Sequence, residues 1–296
     1  MLDIEKGESC GEDRHRFQIL ERNKSVRILF IGDVVGKPGV EIVMQALPGF
    51  RREESIDLVI VNGENAENGS GITPSIYRKL VGAGVDCITL GDHIYRKKDI
   101  MPILEEKDNI VKPANYPAEA PGKTWTVVKA ENGREVAVFS LIGRVFMKPV
   151  DCPYAKANVV LDEIPERVKI RFCDFHAEAT SDKQLMGRHL DGRVTAVCGT
   201  HTHVPTADEQ VLPGGTAFIS DVGMTGPHES ILGRKIEKVL KATLTFRPIP
   251  FDVATGNVQI SGVVIDLDPK SGKGQGIRRV KINEKQAAQL EDQYED

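Results

Sequence analysis

Short apolar runs alternate with segments of helical period along the first half of the chain. The runs are "VRILFIG" (26–32), "DLVIVNG" (57–63) and "DCITLG" (86–91). Helices are predicted around 39–54, over "TPSIYRKLVGAG" (73–84) and around 97–107. Continuous apolar strands that alternate with helices predict a sheet that is covered on both faces and is at least partly parallel.

The second half of the chain is richer in strand patterns. The segments "WTVVKA" and "REVAVFSLIG" flank a predicted hairpin turn at Asn132-Gly133. Strands are predicted over 167–175 and 193–199, on either side of a helix of about 179–191, and further strands over "GTAFIS", "KATLTFRPIP" and "NVQISGVVIDLD". The pattern indicates one α/β domain with a two-layered sheet core.

Three segments of the chain are expected to differ in order. Residues 1–25 are polar and charged, without the apolar segment of a signal peptide, so we predict a flexible N-terminal extension. The folded domain is predicted to cover 26–285, and 286–296 are interpreted as a C-terminal tail.

Composition excludes several classes of protein. Thirty-nine basic and 43 acidic residues give a formal charge of −4, so no overall basic surface favours nucleic acid or membrane binding. No apolar run approaches the roughly 20 residues that span a bilayer. The five cysteines lack the spacing of a zinc site, and free thiols in a reducing cytoplasm explain them most simply.

Polar residues of one chemical kind follow five of the predicted strands. In chain order they are Asp33, then Glu64 and Asn65, then Asp92 and His93, then His176, and finally His201 and His203. Parallel strands bring their carboxyl ends to one edge of a sheet, where ligand sites form. Singly, each residue has an ordinary explanation, such as a helix cap for Asp33, a turn for Glu64 or a hydrogen-bonded core histidine at 176. Their joint placement favours a site.

The residue types at these strand ends indicate metal. Carboxylates, an amide oxygen and neutral imidazoles suit manganese, iron or zinc, and magnesium is a further option. In an extended chain the i, i+2 spacing of His201 and His203 points both rings to one side, so each could bind one of two neighbouring ions. Eight candidate groups exceed the needs of one ion. Two ions roughly 3.5–4 Å apart could clamp a phosphoryl group and hold a bridging hydroxide as nucleophile.

Several of these segments are familiar in combination. "RILFIGDVVGKPG", "VIVNGENAENGSGIT", "ITLGDH", "DFHAEATSDK", "GTHTHVPTAD" and "ISDVGMTGPHESILG" together resemble the YmdB-like branch of the calcineurin-like metallophosphoesterases. The similarity runs from about Val26 to about Ile282. It implies a four-layer α/β/β/α sandwich, a dinuclear centre of iron or manganese, and phosphodiesterase activity that includes 2′,3′-cyclic nucleotides.

The resemblance also implies a role for each candidate. Glu64 resembles the carboxylate that bridges the ions; Asp33, Asn65 and His203 resemble the ligands of one ion, and Asp92, His176 and His201 those of the other. His93 resembles the histidine that assists the phosphate or protonates the leaving oxygen. One position departs from the family, which usually reads "GNH" where this chain reads "GDH", so the site would hold three carboxylates in place of two.

Other candidates and functions stay open. Arg144 and Lys148 could contact phosphate or base, or could be ordinary loop charges. His189 and His228 are explained by helix ends, and the few aromatics form no stacking surface for RNA. Besides a phosphodiesterase, the residues fit a phosphomonoesterase or nucleotidase, or a regulatory protein that binds metal without turnover. A small phosphodiester is the expected partner, with RNA ends and a second copy of the chain as further options.

Overall fold

Two β-sheets that lie face to face form the centre of the fold. The computed structural model describes residues 25–295, with side chains to residue 292. The strands are β1 (Val26–Ile31), β2 (Leu58–Asn62), β3 (Cys87–Thr89), β4 (Ile110–Val111), β5 (Trp125–Lys129), β6 (Glu135–Ile142), β7 (Ile170–His176), β8 (Ala196–Thr200), β9 (Gln210–Val211), β10 (Ala217–Ile219), β11 (Gly226–Pro227), β12 (Val258–Leu267) and β13 (Gly274–Asn283). The α-helices are α1 (Gly36–Glu53), α2 (Pro74–Gly82), α3 (Met101–Glu106), α4 (Pro153–Glu163), α5 (Thr180–Leu190), α6 (Ile236–Thr245) and α7 (Glu284–Glu295), and a 3-10 helix covers Lys98–Ile100.

Each sheet has a parallel centre and antiparallel edges. The first has the order β11-β12-β1-β2-β3-β4, with β13 also paired to β12; β1 to β4 are parallel, and β12 runs antiparallel to β1. The second has the order β5-β6-β7-β8-β10-β9, in which only β5 and β9 at the edges are antiparallel to their neighbours. The expectation of a partly parallel sheet is confirmed for both.

Alternating side chains of the strands fill three apolar layers. Phe30 of β1 points between the sheets and meets Phe172 of β7, with ring centroids 4.9 Å apart. Leu29, its neighbour on β1, points the other way, into the layer shared with α1, α2 and α7. On the far side, Phe175 of β7 packs in the layer shared with α4 and α5. The result is the four-layer α/β/β/α sandwich that the resemblance implied.

The helix predicted over 73–84 shows how local chemistry sets an element. Thr73 has extended backbone angles and its hydroxyl accepts a hydrogen bond from Ile76 N, at 3.4 Å. Pro74 occupies the first helical position, where a missing N–H costs nothing. The helix then buries Ile76, Tyr77 and Leu80, which lie on one face.

Two predictions from the second half of the chain are wrong. Residues 241–245, predicted as part of a strand in "KATLTFRPIP", complete helix α6. The segment 286–296, interpreted as a tail, forms nearly all of helix α7. Ala287 and Leu290 lie three residues apart and are buried against α1, because their spacing is helical and they complete the first sheet's outer layer. Residues 1–24 of the predicted extension lie outside the described residues.

Within residues 25–295, no helix is long and apolar enough to cross a membrane. Cys87, Cys173 and Cys198 are buried free thiols, Cys152 is a half-buried one, and Cys10 lies outside the described part of the chain.

Removing the Leu290 side chain tests whether α7 belongs to the fold. Leu290 is 7% exposed, so Leu290→Ala should lower the free energy of unfolding by about 2–4 kcal/mol through lost burial and a cavity. Urea denaturation followed by circular dichroism measures this. Gln289→Ala, on the exposed face of the same helix, is the control and should change stability by less than about 0.5 kcal/mol. Equal stability of the two variants would contradict the packing of α7.

Candidate metal centre

The carboxyl ends of β1, β2, β3, β7 and β8 meet at one place between the two sheets. The first sheet supplies carboxylates there and the second supplies imidazoles. Four side chains offer ligand atoms that all lie within 4.8 Å of one another: Glu64, Asp92, His176 and His201. The predicted convergence of strand ends thus occurs across two sheets, not along one edge.

His176 lies at the middle of this cluster. Its Nε2 is 3.2 Å from Glu64 Oε1, 3.4 Å from Asp92 Oδ1 and 3.0 Å from His201 Nδ1. Its Nδ1 is 2.9 Å from the hydroxyl of Thr200, which itself donates to Asp174 Oδ1 at 2.7 Å. Because that hydroxyl proton is used on Asp174, the Thr200 oxygen accepts from His176 Nδ1–H. This network assigns the lone pair to Nε2, the atom that faces the cluster.

Asp33, Asn65 and His203 lie beside the cluster as a second group. Asn65 Nδ2 donates to Glu64 Oε1 at 2.9 Å and is 3.2 Å from His203 Nε2. Asp33 Oδ1 is 3.9 Å from His203 Nε2. Glu64 therefore lies between the two groups, in contact with His176 on one side and Asn65 on the other.

His93 lies next to the second group and faces the open cavity. Its Nδ1 is 2.7 Å from Asn65 Oδ1, and its main-chain N–H donates to Glu64 Oε2 at 3.1 Å. Since the Asn65 amide oxygen only accepts, His93 carries a proton on Nδ1. Its Nε2 is 3.9 Å from Asp92 Oδ2. All eight side chains predicted at the strand ends are thus brought together.

The backbone of the "HTH" segment is not extended, so the argument from strand geometry was wrong. Strand β8 ends at Thr200, and both His201 and His203 have positive φ, 93° and 65°. Such angles are unfavourable for a residue with a side chain and persist only where the surroundings hold them. The two rings reach the centre through this turn.

A buried ion pair holds the turn. Lys183 of α5 is 2% exposed, and its Nζ donates to Asp221 Oδ2 at 2.6 Å and to Thr202 Oγ1 at 3.0 Å. The same Asp221 oxygen accepts from the main-chain N–H of Thr202 at 3.2 Å. Thr202 is the residue between the two histidines, so the ion pair fixes the backbone from which both rings project.

The electrostatics of the site fit a bound cation. Asp33 Oδ1 and Asp92 Oδ1 are buried and accept no hydrogen bond from any residue in the described part of the chain. Burial lowers the pKa of His176, but the carboxylates of Glu64, Asp92 and Asp33 outweigh it and raise the pKa well above its ordinary value. Burial and the neighbouring His176 lower the pKa of His201 to about 4. The carboxylates thus call for positive charge, while His201 keeps a free lone pair at neutral pH.

Glycine is required at position 91 for these groups to approach. A side-chain carbon there would collide with Glu64 Oε2 and with the ring of His176. The glycine before Asp92 therefore allows β3 of the first sheet to reach the imidazole of the second.

The sequence analysis missed three polar groups around the centre. Asp174, which orders Thr200 and His176, is a charged residue inside an apolar strand, two residues before His176 and on the same face. Asp221 directly follows Ser220 after β10, so the rule that found the other strand-end residues would have found it. Glu178, half exposed, is 3.1 Å from His201 Nε2; no pattern in the sequence singled it out.

A cavity of about 390 Å³ opens onto the centre. Its polar lining includes Glu64, Asn65, His93, His201 and His203, and its apolar lining includes Val35, Leu232, Val239 and Phe251. Arg144 lies on an exposed loop, its main-chain N–H bound to Asp182, and is not in this lining. Its contact with substrate stays a prediction. His189 and His228 lie away from the centre and bind Asn158 Oδ1 and the Gly226 carbonyl.

Comparison with known proteins identifies the family. The profile of the family described as YmdB-like protein matches residues 29–280. The chain belongs to the YmdB-like family. It is 48% identical, over 259 residues, to the 2′,3′-cyclic-nucleotide 2′-phosphodiesterase of Bacillus subtilis, an alignment that covers 88% of this chain and 98% of that protein.

Two crystal structures of similar proteins share the fold. A hypothetical protein from Thermus thermophilus is 40% identical, with a TM-score of 0.82, over 87% of this chain and 99% of its own. A novel phosphatase from Mycoplasma pneumoniae is 31% identical, also with a TM-score of 0.82, over 88% of this chain and 94% of its own. The YmdB-like resemblance inferred from the motifs is confirmed.

Neutralising Asp221 tests whether the buried ion pair positions the two histidines. Asp221→Asn leaves the Lys183 charge unpaired and loosens the turn, so the dissociation constant for Mn²⁺ should rise about 10–100-fold. Isothermal titration calorimetry of the metal-stripped chain measures it. Asp266→Asn, a surface carboxylate paired with Arg27, is the control. Binding of Mn²⁺ with unchanged affinity would show that the turn does not need Asp221.

Neutralising Asp92 tests the effect of the third carboxylate in this YmdB-like site. Asp92→Asn keeps an oxygen ligand but removes one negative charge, so we expect faster loss of metal during dialysis against a chelator. Metal content measured by plasma mass spectrometry over time gives the rate. Asp99→Asn makes the same charge change on the exposed part of the same segment. If both variants lose metal as slowly as the unaltered protein, the Asp92 charge does not retain the metal.

Proposed function

We propose that this protein is a dinuclear metal-dependent phosphodiesterase that hydrolyses 2′,3′-cyclic nucleotides. The observation that carries the proposal is the convergence of Glu64, Asp92, His176 and His201, with two buried carboxylate oxygens left unpartnered beside them. The 48% identity to the Bacillus subtilis phosphodiesterase supports the substrate class.

The two groups around Glu64 support a pair of ions rather than one. Asp33, Asn65 and His203 would hold one ion, and Asp92, His176 and His201 the other, with Glu64 between them. When bound, iron or manganese ions would neutralise the phosphate oxygens and acidify the attacking water. Three ionised carboxylates suit the high charge of such a pair, and they would also tolerate a ferric ion.

His93 is the proposed proton donor to the leaving oxygen. Asn65 holds its Nδ1–H, which orients the ring so that Nε2 faces Asp92 and the cavity. A proton on Nε2 would move to the oxygen that leaves phosphorus. Because no other residue needs that proton, His93 can act without disturbing the metal ligands.

The size of the cavity supports a small substrate. About 390 Å³ lies within the range of sites for single small ligands, which suits a nucleotide better than a folded RNA. Phe251, which is 43% exposed in the lining, offers an aromatic face to a base. We also propose that the terminal 2′,3′-cyclic phosphate of an RNA chain can enter the cavity. The buried free thiols support a cytoplasmic location.

The test combines metal content with product analysis. Protein purified without a histidine tag should contain about two equivalents of iron or manganese and should convert 2′,3′-cyclic AMP to one nucleoside monophosphate. Short RNA with a cyclic phosphate end is the second substrate. Hydrolysis of 3′-AMP alone would favour a phosphomonoesterase, for which the similarity to the Mycoplasma phosphatase is the observation. Full metal occupancy without turnover of any substrate would favour the regulatory alternative.

Replacing His93 separates proton donation from metal binding. His93→Gln should lower kcat about 10²–10⁴-fold, because the leaving oxygen departs unprotonated, while the metal content stays unchanged. His228→Gln, a histidine outside the cavity, is the matched control. Full turnover by His93→Gln would overturn the assignment of His93 and would leave the metal centre untouched.

A further inference from the structure

Helix α6 stands on the molecule without any buried residue. It has ten residues, Ile236–Thr245, and none of them is buried in the described part of the chain. An isolated helix of this length is marginal in water, and most helices in proteins are stabilised by a packed apolar face. Something beyond the present contacts must therefore stabilise α6.

The apolar side chains of α6 form a stripe that faces away from the protein. Ile236, Leu240 and Leu244 lie four residues apart, so they follow one ridge of the helix surface. Leu240 is 53% exposed and Leu244 is 72% exposed. Phe246, in left-handed conformation directly after the helix, is 96% exposed and extends the patch.

The opposite face of α6 already has its contacts. Lys238 pairs with Asp252 at 2.5 Å, and Val239 lines the cavity above the metal centre. The helix is thus attached through the 238–239 side, and the stripe cannot turn inward to be covered by the same chain.

We propose that the stripe of Ile236, Leu240 and Leu244 is the contact between two copies of this chain. The helices pair antiparallel about a two-fold axis next to Leu240. In this arrangement the two Leu240 side chains meet each other, and Ile236 of one copy meets Leu244 of the other.

The charges beside the stripe are complementary under this symmetry. Glu237 and Lys241 each follow a stripe residue, so they lie on the same side of the helix, and antiparallel pairing brings Glu237 of one copy next to Lys241 of the other. Neither side chain forms an ion pair with any other residue between 25 and 292. An anionic membrane fits less well, because Glu237 borders the stripe and Asp252 neutralises Lys238.

The proposed contact would also act on the cavity. Val239 belongs to the cavity wall and projects from the same helix as the stripe. Pairing of two copies would hold α6, and with it that wall, in place. The oligomeric state itself can be measured without any enzyme activity, so its test does not depend on the proposed function.

Sedimentation velocity of the full chain over a range of concentrations tests the contact. The unaltered protein should sediment as two chains of 32.5 kDa or a higher even multiple, and Leu240→Glu should shift dissociation to at least tenfold higher concentration. Leu185→Glu, at a leucine of α5 that is 58% exposed, is the matched control and should not shift it. A monomeric unaltered protein at all concentrations would overturn the proposal.

A charge exchange tests the antiparallel arrangement. Glu237→Lys and Lys241→Glu should each weaken association, and the double variant should restore it, because the pairs re-form with reversed sign. Association that the double variant fails to restore would overturn the pairing of α6 with α6. Flotation with vesicles of phosphatidylglycerol and phosphatidylcholine is run in parallel. Binding of a monomer to these vesicles, lost in Leu240→Glu, would assign the stripe to a membrane and overturn the proposal.

Discussion

The concentration of buried negative charge between the two sheets governs the rest of this structure. Asp33, Glu64, Asp174 and Asp221 are all fully buried, and a buried carboxylate is costly unless it is paired or hydrogen-bonded. Asp221 is paired with Lys183, and Asp174 is satisfied by hydroxyl and amide donors. Asp33 and Asp92 each keep an unpartnered oxygen. That remaining imbalance is what a pair of metal ions would correct.

Two sheets divide the work of building the centre. The first sheet presents carboxylates after β1, β2 and β3, and the second presents imidazoles from the ends of β7 and β8. Neither sheet alone carries the full ligand set. The centre therefore depends on the apolar layer between the sheets, where Phe30 meets Phe172, and on Gly91, which lets the two sets of side chains approach. Packing and chemistry are linked because the same strands carry both.

The sequence predicted the inner strands and most helices well, since their apolar runs are continuous and their caps are explicit. It failed where the pattern was short or ambiguous. In "KATLTFRPIP" the local alternation resembled a strand, but Leu240 and Leu244 belong to a helical repeat that begins at Ile236. Helix α7 was missed because only Ala287 and Leu290 mark its buried face. Both helices depend on surfaces that lie far away in sequence.

The sequence by itself determined the chemistry: which strand ends carry carboxylates and imidazoles, and to which family the motifs belong. Only the tertiary structure decided how those groups meet. The rings of His201 and His203 come together through a turn with positive φ, held by Lys183 and Asp221 from elsewhere in the chain, whereas the i, i+2 rule assumed a strand. The physical reason is range. Strand and helix periods act over a few residues, but the ion pair, the Asp174 network and the facing of the sheets are contacts between distant segments, which no local pattern encodes.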